Sequence, residues 1–284
     1  MFKQSSQQIS VIRPDSRVND GMIVALHHIL GEVWNFRSHI RVVFKEQFRA
    51  AYTGTGLGLF WNYLLPLVPL SVYWFLSKLR VFPNFDGVDG ATFITFGVTL
   101  WFLFVGCVQT PIQVVQLRNK ESMKTTFPLS ASIVSGFAQL LFETAVRLVL
   151  VILIIVVGQS WPAWSALLLP LLLLPALMLF IGVGLLLGIL NVIYKDISRV
   201  VTISLQYGIF ISGVIFPFHH IEVLLKLNMF NPFAIYIDLS RSIVFQGEVI
   251  NMAAYLTMSC VALALFLVAA RLFYIMEYRV RGIG

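Results

Sequence analysis

Charge is what this chain has least of. Asp, Glu, Lys and Arg make up 12% of its 284 residues, while 58% are hydrophobic. Soluble domains carry about twice that share of charge, so an ordinary soluble fold is excluded. Cysteine is almost missing. Cys107 and Cys260 both fall inside apolar segments, which excludes a disulfide framework and leaves both as small apolar side chains. A phosphate-binding loop is also missing. Gly54-Thr55-Gly56-Leu57-Gly58 is glycine-rich, but no Gly-Lys-Ser/Thr follows it. These glycines read as an elbow, with close helix packing at Gly56 and Gly58. No paired carboxylates or Ser/His/Asp grouping is visible, so enzyme chemistry has no positive support. His219-His220, with Glu222 nearby, lacks ligand-spaced companions and reads as a polar pair at a membrane boundary rather than a metal site. The net charge of +7 does not point to nucleic acid, because the basic residues cluster beside apolar segments. The polar start, and a first apolar run broken by His27 and His28, predict no cleavable leader.

What the chain has is long apolar runs. Residues 148–194 contain no Asp, Glu, Lys or Arg. As one helix they would reach roughly 70 Å at 1.5 Å per residue, more than twice a ~30 Å hydrocarbon core. The stretch must turn inside itself, and Gly158-Gln159-Ser160-Trp161-Pro162-Ala163-Trp164 is the natural place. The pattern predicts an all-α integral membrane protein with six transmembrane helices, over 57–77, 91–116, 130–157, 164–193, 200–217 and 251–274. Residues 1–52 form a cytoplasmic N-terminal segment, 53–278 the transmembrane domain and 279–284 a cytoplasmic tail. Lys and Arg crowd the segment before span 1, the span 2–3 loop (Arg118, Lys120, Lys124), the span 4–5 loop (Lys195, Arg199) and the tail (Arg279, Arg281). Lys78, Arg80, Lys226 and Arg241 lie opposite. The imbalance predicts both termini in the cytoplasm.

Two segments are predicted not to span. In 22–52, Ile29, Val33, Ile40, Phe44 and Phe48 form an apolar stripe, flanked every four residues by Arg37, Arg41, Lys45 and Arg49. This suits an amphipathic helix in the cytoplasmic interface, its basic flank toward lipid phosphates; packing on the protein's own cytoplasmic face is the alternative. In 218–250, apolar runs broken at Asn231-Pro232 read as two short re-entrant helices on the outer side. Irregular backbone at that depth must be buried in protein or line a watery cavity. Glu143 and Arg147 share a face of span 3 and can pair, either fixing helix packing or facing a pathway. The dense aromatics read first as lipid-facing or interfacial-belt residues; the alternative, for Phe60, Trp61, Tyr63, Trp74, Tyr207 and Phe210 as candidates, is a pathway wall of flat apolar bodies, with a polar tip on Tyr and Trp, on which sugar rings can slide.

The order of segments resembles a known family. Phe48 to Trp61, with Leu65-Pro66 beyond, is similar to its "R-x-R-Y-x-x-S-x-L-G-x-x-W…P" pattern. Phe127-Pro128 ends the span 2–3 loop as in that family. Tyr194-Lys195-Asp196 resembles its "Y-R-D", with Lys for Arg. Phe216-Pro217 and Asn231-Pro232-Phe233, with Arg241 beyond, resemble its outer-gate region. The family is that of the membrane subunits of bacterial type-2 class ABC exporters for lipid-linked polysaccharides: O-antigen, capsular and teichoic acid permeases. The resemblance covers nearly the whole chain. It implies a homodimer in the bacterial inner membrane, a conduit lined by spans 1 and 5, and an ABC ATPase pair on the cytoplasmic side. ATP and Mg would then sit on the partner and no cofactor on this chain. It also implies ATPase docking through Arg118, Lys120, Glu121, Lys124, Phe127 and Pro128, and an outer gate at Phe216, Pro217, Asn231, Pro232 and Arg241. Two other readings stay open. One is the same fold moving a drug, haem or lipid. The other is a membrane-embedded enzyme, such as a lipid-headgroup transferase, built around His219, His220 and Glu222.

Overall fold

The computed structural model describes residues 17–50, 60–79, 87–121, 128–215 and 228–282. Among them the regular structure is helical, without a β-strand. The helices are α1 (Met22–Asn35), α2 (Arg37–Ala50), α3 (Trp61–Lys78), α4 (Gly90–Glu121) and α5 (Leu129–Gly158). They continue with α6 (Leu169–Leu172), α7 (Leu174–Ile193), α8 (Ile197–Ile211), α9 (Pro232–Arg241) and α10 (Met252–Gly282). Four segments are long and apolar enough to cross a membrane: Gly90–Leu117, Leu129–Gly158, Trp164–Ile193 and Met252–Glu277. The chain is therefore a multi-pass membrane protein. The expected turn in the long uncharged run is there. α5 stops at Gly158, and Gln159 adopts a left-handed conformation at φ 53°. A 3-10 turn over Trp164–Leu168 and the short α6 then lead into α7.

The helices at the predicted spans 1 and 5 are shorter than a full crossing. α3 has 18 residues, about 27 Å, and Asn62, Pro66, Pro69 and Lys78 dilute its apolarity. α8 has 15 residues, about 22 Å, against a ~30 Å core. The segment predicted as one amphipathic helix is two helices, broken at Phe36, where the Arg37 guanidinium donates to the Trp34 carbonyl at 2.9 Å. The basic flank of α2 is exposed, while Ile40 is buried and the Phe48 ring meets Phe142 of α5 edge-on at 4.9 Å. Part of its greasy stripe thus packs on the protein's own helices.

α4 is the hub. Most of its apolar window is buried, against α3, α5, α7, α8 and α9. Pro111 removes the N–H that would have bonded the Cys107 carbonyl. Gly184 of α7 lies against that carbonyl: a Cβ there would stand 2.7 Å from the Cys107 and Val108 oxygens. Gly188, one turn on, meets the Pro111 backbone. Small residues four apart let two backbones touch where no apolar driving force separates helix from lipid. Gly182, on another face of α7, does the same against Phe266 of α10. α7 is thereby clamped between α4 and α10. Cys107 is buried in this packing, whereas Cys260 is exposed on α10.

Candidate functional site

Among the described residues, three polar constructions and a cleft interrupt the apolar bundle. The first closes its Glu121–Leu129 end. α5 begins after Pro128, whose ring cannot cap the helix, leaving first-turn N–H groups orphaned. Glu277 of α10 supplies the cap from another helix: Oε1 accepts from the Leu129 N–H at 2.9 Å, and Oε2 accepts from Arg17 at 3.3 Å. A carboxylate is favoured there by the helix dipole. Glu277 is 1% exposed and Arg17 5%. Arg17 also donates to the Tyr274 carbonyl at 3.0 Å, covers the Tyr274 ring at 4.0 Å and reaches Glu32 of α1 at 3.6 Å. Glu32 accepts from the Ser130 hydroxyl at 2.9 Å, and the Tyr274 hydroxyl donates to Asp20 at 2.9 Å. One buried network thus joins the N-terminal segment, α1, the start of α5 and the end of α10. It abuts the predicted docking segment, of which Lys124 and Phe127 lie outside the described residues. The backbone of Arg118, Lys120 and Glu121 is described as the last turns of α4, and Pro128 is buried at the start of α5.

The second construction lies toward the Gly90 end of α4. α8 stops at Ile211, and Gly213 turns the chain with φ 66°. α9 starts beside that stop. Asn231 caps α9 by accepting from the Phe233 N–H at 3.1 Å, and its amide donates to the Ser212 hydroxyl at 2.9 Å. Pro232 occupies the first turn, where its missing N–H costs nothing. Phe233 packs on Trp101 and Phe180 at 4.4 and 4.3 Å, and Tyr236 is fully buried. At the other end of α9, Arg241 donates to the carbonyls of Gly213 at 3.1 Å, Val214 at 2.5 Å and Phe93 at 3.2 Å, and lies over the Phe93 ring at 3.6 Å. Gly97 makes room for this guanidinium; a Cβ there would collide with it. The non-helical backbone at 213–214 is buried, and a cation at the end of a helix also meets its negative pole. Arg241, Asn231 and Pro232 are brought together as a pin holding α8, α9 and α4. Phe216, Pro217, His219, His220 and Glu222 lie outside the described residues.

The third is Glu143–Arg147. Arg147 Nη2 lies 3.3 Å from Glu143 Oε2, Gln139 donates to Glu143 at 3.3 Å, and the guanidinium stands over Phe102 of α4 at 4.9 Å. Arg147 is 7% exposed, and its Nε and Nη1 have no acceptor among the described residues.

The aromatic candidates are dispersed. Phe60, Tyr63, Tyr207 and Phe210 are exposed and Trp61 and Trp74 half-buried. Tyr63 meets Phe142 at 5.4 Å. α3 and α8, which carry them, both lean on α4.

The cleft opens between the C-terminal half of α4 and the first turns of α8, with a volume of about 400 Å³. Gln109, Gln113 and Gln116 form one wall, and Ser198, Arg199 and Thr202 the other. Sequence reasoning missed this cleft, along with Arg17, Glu32 and Glu277. The glutamines at i, i+4 and i+7 in an apolar span were a readable signal. Nothing local signals that Arg17 and Glu277, at opposite ends of the chain, meet.

Residues 38–245 match the family model described as ABC-2 type transporter. The chain is 23% identical over 194 residues to the O-antigen export system permease protein RfbA of Myxococcus xanthus, covering 68% of this chain and 74% of that protein. It is 22% identical over 215 residues to a polysialic acid transport protein KpsM of Escherichia coli, covering 74% of this chain and 82% of that one.

Proposed function

Because this chain belongs to the ABC-2 type transporter family, we propose that it is the permease subunit of an ATP-driven exporter moving a lipid-linked polysaccharide, of O-antigen or capsular type, across the bacterial inner membrane. What carries the reading is similarity, over most of both lengths, to permeases whose names specify O-antigen and polysialic acid. On this reading two copies form one conduit, because a single bundle packed this tightly around α4 has little room for a hydrated chain. α3 and α8 complete six crossings as helices shorter than the hydrocarbon is thick, and the segment expected to dip back from the outer side is 218–250, of which 228–250 are described. That dip is supported by α9, which begins beside Trp101 and ends beside Phe93 of α4. Both termini are cytoplasmic, and a separate ABC ATPase pair binds ATP and Mg. It docks on α2 and the Arg118–Pro128 segment. ATP-driven closure then reaches the bundle as rigid-body movement, with the Arg17–Glu32–Glu277 network carrying it to α1, α5 and α10.

The test is to express the chain with its neighbouring ATPase and measure co-purification, ATP hydrolysis and surface polysaccharide in a strain lacking the permease. Stable assembly and restored polysaccharide are expected. A chain that purifies alone, and whose deletion leaves surface polysaccharide unchanged, refutes the reading.

A further inference from the structure

We infer that the cleft between α4 and α8 is where this subunit grips the sugar chain at the cytoplasmic mouth of its path; the inference rests on the export reading above. Three observations carry it. The first is chemical. Gln109, Gln113 and Gln116 recur on one face of α4 over about 10 Å, and each amide offers two N–H donors and a carbonyl acceptor. None of the three side chains makes a hydrogen bond among the described residues, and Gln113 and Gln116 are exposed. They lie in the last turns of a segment apolar enough to cross a membrane, where an amide turned to hydrocarbon goes unsatisfied at a cost. They face water or a hydrogen-bonding ligand.

The second observation is position. α4 is the most enclosed of the four long apolar segments, with 83% of its window buried. Its glutamines nevertheless emerge into an open cleft faced by the Ser198 and Thr202 hydroxyls of α8. Both hydroxyls donate to carbonyls of their own segment, Lys195 at 3.2 Å and Ser198 at 2.7 Å. Their oxygen lone pairs remain available as acceptors.

The third is charge and shape. Among the described residues no carboxylate lines the cleft. The ion among them is Arg199, whose contact with Asp196 is 3.9 Å between two exposed side chains, too open to hold the guanidinium. Ile112 and Val201 supply apolar wall. Neutral amides and hydroxyls, an apolar patch and one available cation match a sugar's hydroxyl rim, its C–H face and a neutral or anionic substituent. A lipid tail would find the amides costly, and a cationic cargo would be repelled. An open trough that encloses nothing suits a passing chain.

Two experiments decide it. In a strain lacking the permease, Gln113→Leu/Gln116→Leu should lower surface polysaccharide about tenfold or more, the loss of two or more hydrogen bonds. The protein should still reach the membrane in wild-type amount, since both positions are exposed. Gln113→Asn/Gln116→Asn, which keeps the amides, should retain export. Separately, Gln113→Cys in a Cys107→Ala/Cys260→Ala background should react in inside-out vesicles with a membrane-impermeant methanethiosulfonate. Leu141→Cys, exposed on α5, should not. Wild-type export by the leucine variant, or a Cys at 113 as inert as that at 141, overturns this inference and leaves the export reading standing. A wild-type gene that restores no polysaccharide overturns the export reading, and this inference with it.

Discussion

Glu277→Ala tests the buried network most directly. The carboxylate is 1% exposed, pairs with Arg17 at 3.3 Å and caps the Leu129 N–H at 2.9 Å. Its removal takes from a guanidinium that is itself 5% exposed the carboxylate 3.3 Å away, and from a helix N-terminus its trans cap. Breaking a buried pair costs about 3–5 kcal/mol, and an orphaned buried amide about 1–3 kcal/mol. The two overlap, so ~4 kcal/mol is expected rather than their sum. At roughly 2–4 °C per kcal/mol for a chain of this class, Tm should fall by about 8–16 °C. Glu277→Gln keeps an acceptor for Leu129 and removes only the charge, so it should lose less than half as much. The assay is thermal unfolding in detergent, followed by size-exclusion chromatography on a fluorescent fusion. A Glu277→Ala protein melting within about 2 °C of wild type would refute the claim that this carboxylate ties α10 to α5.

Arg241→Met should destabilise by about 3 kcal/mol, because the Gly213 and Val214 carbonyls lose the Arg241 donor in a buried site and the Phe93 carbonyl loses the bond it accepts beside its helical one; the yield of monodisperse protein reads it, and Arg241→Lys should recover part of the loss. Gly184→Leu should prevent folding, since even a Cβ would press on the α4 backbone, whereas Gly31→Ala, with nothing within 4 Å, should be neutral or gain up to about 1 kcal/mol in a thermal melt. Glu143→Ala should cost about 3 kcal/mol by stranding Arg147, while Glu143→Leu/Arg147→Leu should return near wild-type stability, a reversal that a pathway role for the pair would not produce in an export assay. Glu121→Lys should weaken co-purification of the ATPase while membrane insertion stays normal.

Much of the architecture could be read from residues. The uncharged run 148–194 demanded a turn near Gly158, and Gln159 makes it. Apolar runs of fixed length specify helices because lipid offers no other partner for the backbone. The amphipathic stripe of α2 and the i, i+4 spacing of Glu143 and Arg147 are local, and local periodicity is legible. The break at Phe36 was not, for no glycine or proline stands beside it; the early stop of α8 has its local mark in Gly213, two residues beyond Ile211, but an apolar run that continues to Ile215 hides it.

By itself, then, the sequence determined that this chain lives in a membrane, where it turns and which segments carry its charge, because those properties follow from the solvent and from neighbours along one helix. Only the tertiary structure decided that Glu277 caps α5 and pairs with Arg17, that Arg241 collects carbonyls from α4 and the end of α8, and that three glutamines open on a cleft. Each is a contact between groups far apart in the chain, brought together by glycine-mediated packing around α4 and α7, and no sequence spacing encodes such a meeting.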